Sequence, residues 1–239
     1  HPYILTTFNE KMDEVMTLAH ELGHAGHFVI AGQNQNLYGT RCSMYFIEAP
    51  STTNEIIMEN YLLKQAGDDK RRRRWILSQM ISKTYYHNFV THLLEAAYQR
   101  EVYKIVDEGG NVTADQLSDI YRKVLEDFWG EEVKVLDGST LTWMRQPHYY
   151  MGLYSYTYSA GLTIGTQMAK RILAEGDEVA QDWIKVLETG GTKGPLELAQ
   201  MAGVDLSTEE PLLDTIAYIS SIIDEIQELT EELKEDEAS

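Results

Sequence analysis

His20-Glu21-Leu22-Gly23-His24 sets two imidazoles four residues apart with a carboxylate beside the first. In a helix, four steps of about 100° bring both rings to nearly one face, one turn apart. Rings so placed can share one Zn²⁺ at about 2.0–2.1 Å. Glu21 points to the side of the pair, where it reaches a water on the metal rather than the metal. The pentapeptide therefore supplies two ligands and a general base in a single turn. Zinc lowers the pKa of its water toward neutrality, and the carboxylate can take up the remaining proton. The plain alternative is a helix with surface histidines. Leu22 falls opposite the ligands, where packing calls for an apolar residue. Gly23 and Gly26 each cost a helix about 1 kcal/mol against alanine. A helix that carries both often has something close against its backbone.

A catalytic zinc with one open position needs a third protein ligand. The metzincin pattern fails, because it wants glycine at 27 and histidine at 30 where the chain has His27 and Ile30. His27 is too near His24 to copy that ligand, and it reads as a wall or supporting residue. A glutamate from a later helix is the other option: Glu48, Glu55 or Glu59. Glu48 precedes Ala49-Pro50-Ser51, where a loop turns into a helix. Glu55 lies two helical turns further, so the two can share a face. One could bind metal while the other holds a ligand imidazole by a hydrogen bond. The same donors accept Mn²⁺ or Co²⁺.

These residues need helices to position them. A 3.6-residue period through Met12, Val15, Met16, Ala19, Leu22 and Phe28 predicts a helix from Asn9 to about Ala31, ended by Gly32. Residues 32–51 read as a loop with a short extended piece at Cys42 to Ile47. Further helices are predicted over Thr53 to Ala66, Asp69 to Glu108 with a break, and Thr113 to Trp129. The last opens on the capping box Thr113-Ala114-Asp115-Gln116. Val133 to Trp143 alternates around Asp137-Gly138, which predicts a small β-hairpin. Tyr154 to Glu175, Glu178 to Glu188, Pro195 to Ala202 and Pro211 to about Leu233 read as helices. The fold class is mainly α.

With 239 residues the chain can bury a substantial core. Its net charge of −18 repels phosphate backbones and argues against nucleic acid as a partner. One cysteine, Cys42, permits no internal disulfide and fits a reducing, cytoplasmic setting. No apolar run reads as a membrane span. The chain opens on His1-Pro2-Tyr3 without a methionine, so an upstream portion of a longer protein is expected. The run Lys70 to Arg74 reads as a solvated helix face rather than an anion site. The acidic stretch Glu225 to Glu235 reads as a surface helix.

The order and spacing of the motifs resemble the thimet-oligopeptidase-like zinc metallopeptidases, and within them the oligoendopeptidase F group. The resemblance rests on His20 to His27, on Glu48-Ala49-Pro50-Ser51 with Glu55, and on Pro2 to Phe8. It continues through His148-Tyr149-Tyr150, Tyr154 to Gly161, Gly190 to Lys193 and Pro195 to Asp205. It implies a multi-helix, zincin-type catalytic domain around a metal-binding helix, spanning 1–239 and holding one Zn²⁺. By resemblance His20, His24 and Glu48 are the ligands, Glu21 the base, and Glu55 a support behind the ligands. His148 and Tyr156 would donate to the substrate carbonyl as it becomes an oxyanion, with Tyr154 as the exchangeable alternative. The implied activity is endopeptidase cleavage of short peptides, in a cleft completed by the upstream portion.

Two rivals stand beside this reading. A zinc carboxypeptidase or dipeptidyl carboxypeptidase needs a cation for the substrate C-terminus, for which Arg145 is the nearby suggestion. A non-catalytic metal- or peptide-binding module does not need Glu21.

Overall fold

Glu14 fixes where the first helix begins. Its carboxylate accepts from the backbone N–H of Lys11 at 3.2 Å and from that of Asn9, so α1 runs Met12–Asn34. Gly32 does not end it. The structure, a computed structural model, describes residues 1–238 and every side chain within them except those of Asp13, Glu237 and Ala238.

The expected extended piece at Cys42 to Ile47 is instead a run of turns at its end, with Phe46 N–H donating to Ser43 O at 3.0 Å. Phe46 is fully buried there, next to Trp183. This turn delivers the chain into α2, Glu48–Ala66, which starts before the expected Thr53. Pro50 sits in its first turn, where a missing N–H leaves no helical hydrogen bond unmade.

The long helical stretch divides into α3 (Lys70–Gln79), a π-helical segment (Met80–Thr91) and α4 (His92–Asp107). A π-helix is rare and frequently marks a functional site. Here it brings Thr84 against Glu55 and Glu59 of α2, while His87, Asn88 and Thr91 line a cavity shared with His20 and Glu55. The capping box opens α5, Ala114–Trp129, as expected, with Thr113 accepting from Gln116 N–H.

The predicted β-hairpin is absent, and no strand occurs among the described residues. Asp137–Met144 forms a 3₁₀ turn. Thr140 and Thr142 donate to carbonyls within the turn at 2.7 and 3.1 Å, and two further polar groups reach α5. Arg122 pairs with Asp137 at 2.6 Å and Trp143 Nε1 donates to Ser118 Oγ at 3.2 Å. Val135 and Trp143 pack against a cluster of Tyr98, Tyr121, Leu125 and Tyr149. The alternating pattern thus served packing on a helix, not strand pairing.

The remaining helices are α6 (Tyr154–Glu175), α7 (Asp177–Glu188), α8 (Pro195–Met201) and α9 (Glu210–Ala238). α2 and α6 form the centre. α6 is buried over most of its length, and Leu162, Ile164 and Met168 are almost fully buried. Each such side chain contributes about 1.5–3 kcal/mol of burial. The basic run at Lys70 to Arg74 is partly neutralised within the chain. Lys70 pairs with Asp236 at 3.1 Å, Arg73 with Glu225, and Arg74 donates to Thr230 at 2.6 Å. α3 and the acidic α9 form one complementary seam.

Two glycines explain how three helices come so close at the centre. A Cβ on Gly23 of α1 would lie 2.6 Å from Ser51 Cα. One on Gly161 of α6 would lie 2.6 Å from Glu48 Cβ and 2.7 Å from Glu48 C. The first turn of α2 is therefore gripped from both sides by backbone. Gly26, by contrast, meets open space, so only one of the two glycines in the histidine motif is required by packing. Leu22 is 50% exposed and leaves its face of α1 open rather than filling a core.

Candidate metal centre

α1 presents His20 and His24 on one face, and the first residue of α2 presents Glu48 to them. His20 Nε2 lies 3.2 Å from His24 Nε2, and Glu48 Oε2 lies 3.3 Å from each. The three donors form a nearly equilateral triangle. A tetrahedral ion with bonds of about 2.0–2.1 Å sets its ligand atoms about 3.3 Å apart. Two imidazole nitrogens and one carboxylate oxygen therefore already occupy one face of such a tetrahedron. The residues present fit a divalent ion, and zinc accepts this donor set.

Two of the three donors are held from behind, whereas His24 Nδ1 is buried without a hydrogen-bond partner. His20 Nδ1 lies 2.5 Å from Glu55 Oε1. Glu55 Oε2 accepts from the Thr84 hydroxyl of the π-helical segment at 2.7 Å. Glu48 Oε1 accepts from the Tyr154 hydroxyl at 3.0 Å, and the Ser51 hydroxyl lies 3.1 Å from Glu48 Oε2. Tyr154 in turn lies 3.2 Å, oxygen to oxygen, from Tyr158. Such partners fix the orientation of metal ligands.

Burial alone would lower the His20 pKa, but the Glu48 and Glu55 carboxylates on either side overcome it and hold it up at about 10. Burial alone would raise Glu48, yet His20 and His24 hold its carboxyl well below the usual carboxylate range. The cluster is thus an ion pair in the ion-free chain. Tyr154 is pushed up to about 12 by burial and by the Glu48 charge, with Glu21 adding to it. Burial and Glu48 raise Tyr158 further, again with a contribution from Glu21. Both phenols stay protonated at neutral pH and remain donors. Glu21 itself is half-buried beside His20, within electrostatic reach of both.

Tyr154 owes its position to an unusual entry into α6. Gly152 and Leu153 both take left-handed backbone conformations, with φ of 59° and 56°. Glycine adopts this freely, but for leucine it costs about 1–3 kcal/mol. The double turn swings the start of α6 back over Glu48. It also brings His148, from the short 3₁₀ turn Pro147–Tyr150, to 5.1 Å between ring centroids from Tyr154. Gln146 Nε2 lies 3.1 Å from His148 Nδ1, which leaves the ring proton on Nε2. His148 is depressed by burial and by His92, which favours the neutral ring.

A cavity of about 500 Å³ opens beside His20, with Glu55, Tyr86, His87, Asn88 and Tyr158 in its wall. Of the sequence-predicted residues, the structure brings His20, His24, Glu48, Glu55 and Tyr154 into direct contact, with His148 beside them. Tyr156 is 45% exposed and its ring meets Tyr45. His27 is buried on the core side of α1, with Phe46 and the Cys42 sulfur 4.0 Å from its Nδ1. Burial depresses it to about 4, so it stays neutral. Glu59 stands behind Thr84, outside the donor triangle. Arg145 is exposed.

Three participants carried no assigned role in the sequence. Tyr158 was visible as the residue one helical turn after Tyr154, hence on the same face. Ser51 sits three residues after Glu48, within side-chain reach in a first helical turn. Thr84 is 29 residues from Glu55 on a different segment, and nothing local points to it.

Residues 1–218 match peptidase family M3. The chain belongs to that family. Oligopeptidase PepF of Bacillus subtilis is 27% identical over 235 residues, which cover 98% of this chain and 35% of that protein. An oligoendopeptidase F homolog of Borreliella burgdorferi is 29% identical, covering 95% of this chain and 38% of its own length. The crystal structure of oligoendopeptidase-F from Enterococcus faecium superposes with a TM-score of 0.77 at 26% identity, over 92% of this chain and 40% of that one. The chain spans 35–40% of the length of these relatives. No described helix of this M3 chain is long and apolar enough to cross a membrane.

Proposed function

We propose that this chain is the metal-binding catalytic portion of a zinc-dependent endopeptidase that cleaves short oligopeptides. The observation that carries the proposal is the donor triangle of His20, His24 and Glu48, set at the edge length of a tetrahedral ion. Membership of peptidase family M3 and likeness to proteins named as oligopeptidases support it. An ion bound there supplies Lewis-acid polarisation of a peptide carbonyl and acidifies water.

The chain's own residues do the rest. Glu21 takes the proton of the attacking water and passes it to the leaving amine. Tyr154 and Tyr158 are protonated phenols, and His148 carries its proton on Nε2. These donors face the Glu48 side of the centre and stabilise the developing oxyanion. Tyr154 takes this role in preference to Tyr156, because its hydroxyl stands beside Glu48 and can turn its one proton from Oε1 to the oxyanion, while Tyr156 packs on Tyr45. Glu55 orients the His20 ring. The Leu153 turn gives the Tyr154 end of α6 a hinge on which a clamp can close.

The upstream portion found in the longer relatives completes the substrate cleft, and the cytoplasm is the proposed location. The test is hydrolysis of an internally quenched peptide by the full-length protein, wild type against Glu21→Gln. Turnover in the wild type and its loss in the variant, with metal content unchanged, is expected. Equal turnover in both would overturn the role of Glu21, and none in either the endopeptidase assignment.

A further inference from the structure

Glu55 and Glu59 stand one turn apart on α2, and both lie almost wholly buried beside the same hydroxyl. Thr84 Oγ1 is 2.7 Å from Glu55 Oε2 and 2.7 Å from Glu59 Oε1. Exposures are 5%, 1% and 0% for Glu55, Glu59 and Thr84. A hydroxyl has one proton, and an ionised carboxylate only accepts. Thr84 can donate to one of its two neighbours. The other contact exists only if that neighbour donates to Thr84, so one carboxyl of the pair must be protonated.

The surroundings decide which. Glu55 Oε1 faces His20 Nδ1, and a His20 that binds an ion through Nε2 carries its proton on Nδ1. Glu55 must therefore accept there as a carboxylate. Glu59 has no such partner: its Oε2 is buried and unpartnered. A buried charge with one oxygen unsatisfied is far costlier than a neutral acid with a bare carbonyl oxygen. Burial, and after it the Glu55 charge, raises the Glu59 carboxyl well above its ordinary range, in the same direction.

We propose that Glu59 is a neutral carboxylic acid that donates to Thr84, so that the Thr84 hydroxyl points at Glu55 and locks the His20 ring for metal binding. The direction of donation runs Glu59 O–H to Thr84 O–H to Glu55 carboxylate, which accepts from His20 N–H on its other oxygen. Glu59 is a positioning residue that acts through three others. The proposal rests on the metal-binding reading of His20. It assigns a role to Glu59, the candidate glutamate that neither joins the donor triangle nor holds one of its imidazoles, and to the π-helical segment that carries Thr84.

The test combines infrared spectroscopy and zinc titration on the full-length protein, comparing wild type, Glu59→Gln and Thr84→Val. At neutral pH the wild type is expected to show the carbonyl stretch of a buried protonated carboxylic acid, and Glu59→Gln to lack it. A glutamine amide can donate to Thr84 as the acid does, so Glu59→Gln should keep the zinc dissociation constant within about threefold, whereas Thr84→Val should weaken it by about 10–100-fold. No acid band in the wild type, a band that survives in Glu59→Gln, or a Glu59→Gln as weak as Thr84→Val would each overturn the role of Glu59 alone. A wild type that takes up no divalent ion would bring down the metal reading and this role with it.

Discussion

The Tyr154 hydroxyl donates to Glu48 Oε1 at 3.0 Å while the opposite oxygen of the same carboxylate faces both histidines at 3.3 Å. One oxygen of Glu48 faces the proposed ion position and the other a phenol from α6. The contact ties the start of α6 to a proposed metal ligand. Tyr154→Phe should lower kcat on the order of 10²–10³-fold, the loss typical of an oxyanion donor. Tyr156→Phe should change it by only a few-fold. Steady-state kinetics on a quenched peptide separates the two, and the reverse ranking would move the donor role to Tyr156.

The close approach of α6 to Glu48 makes a steric prediction. Gly161→Ala places a methyl group within 2.6–2.7 Å of Glu48 Cβ and C, so the ligand must move. Zinc affinity should fall by tenfold or more, in the range of about 10–100-fold seen when ligand support is lost. Gly26→Ala meets nothing, lies within α1, and should stabilise the fold by about 0.5–1 kcal/mol. Zinc titration and denaturant unfolding check the pair. A Gly26→Ala that destabilises would show that something unseen occupies that space.

The ionisation of the centre predicts proton release on metal uptake. In the ion-free chain His20 is held up to about 10 from an ordinary 6.5. Its contribution to stability is fully present below the unfolded pKa and is lost as pH rises through about 10. Glu48 is depressed, so its contribution is present above the ordinary 4.5 and is lost as pH falls through its lower folded value. An ion takes the place of the His20 proton. Calorimetry in buffers of different ionisation enthalpy at pH 7–8 should show about one proton released per ion. The ion-free protein should lose stability between neutral pH and pH 10, and the zinc-loaded protein should lose less. Absence of proton release would mean His20 is already neutral.

Ligation of the folded state predicts a concentration-dependent gain. Free zinc at one hundred times its dissociation constant adds about 2.7 kcal/mol by mass action. Chelation should lower the melting temperature, and re-addition of zinc should restore it. A melting temperature indifferent to both would place the ion, if any, outside the folded core.

Much of this centre was legible before any coordinates, because its signals are local. His20, Glu21 and His24 share one turn, and Glu48 is flagged by the Ala49-Pro50-Ser51 helix entry. The single-face argument for Glu48 and Glu55 also corresponds to the observed geometry, in which both approach His20. Other features depended on partners far along the chain. The Val133 to Trp143 alternation had the period of a strand, but Val135 and Trp143 pack on a cluster that includes Tyr121 and Leu125 of α5, and Arg122 and Ser118 of that helix bond to Asp137 and Trp143. The helix was expected from about Thr53, after a turn or helix entry at Ala49-Pro50-Ser51, yet a first-turn proline is tolerated and α2 begins at Glu48. Five tyrosines between 149 and 158 could not be ranked by spacing. Leu153, a leucine in a left-handed turn, decides which of them faces Glu48, and nothing in a leucine announces that conformation.

The measurement that bears most directly on the account is the anomalous scattering map of a zinc-loaded crystal of the full-length protein. It should show a single peak at about 2.0–2.1 Å from His20 Nε2, His24 Nε2 and Glu48 Oε2. A peak bound elsewhere, or none at this triangle under saturating zinc, would contradict it.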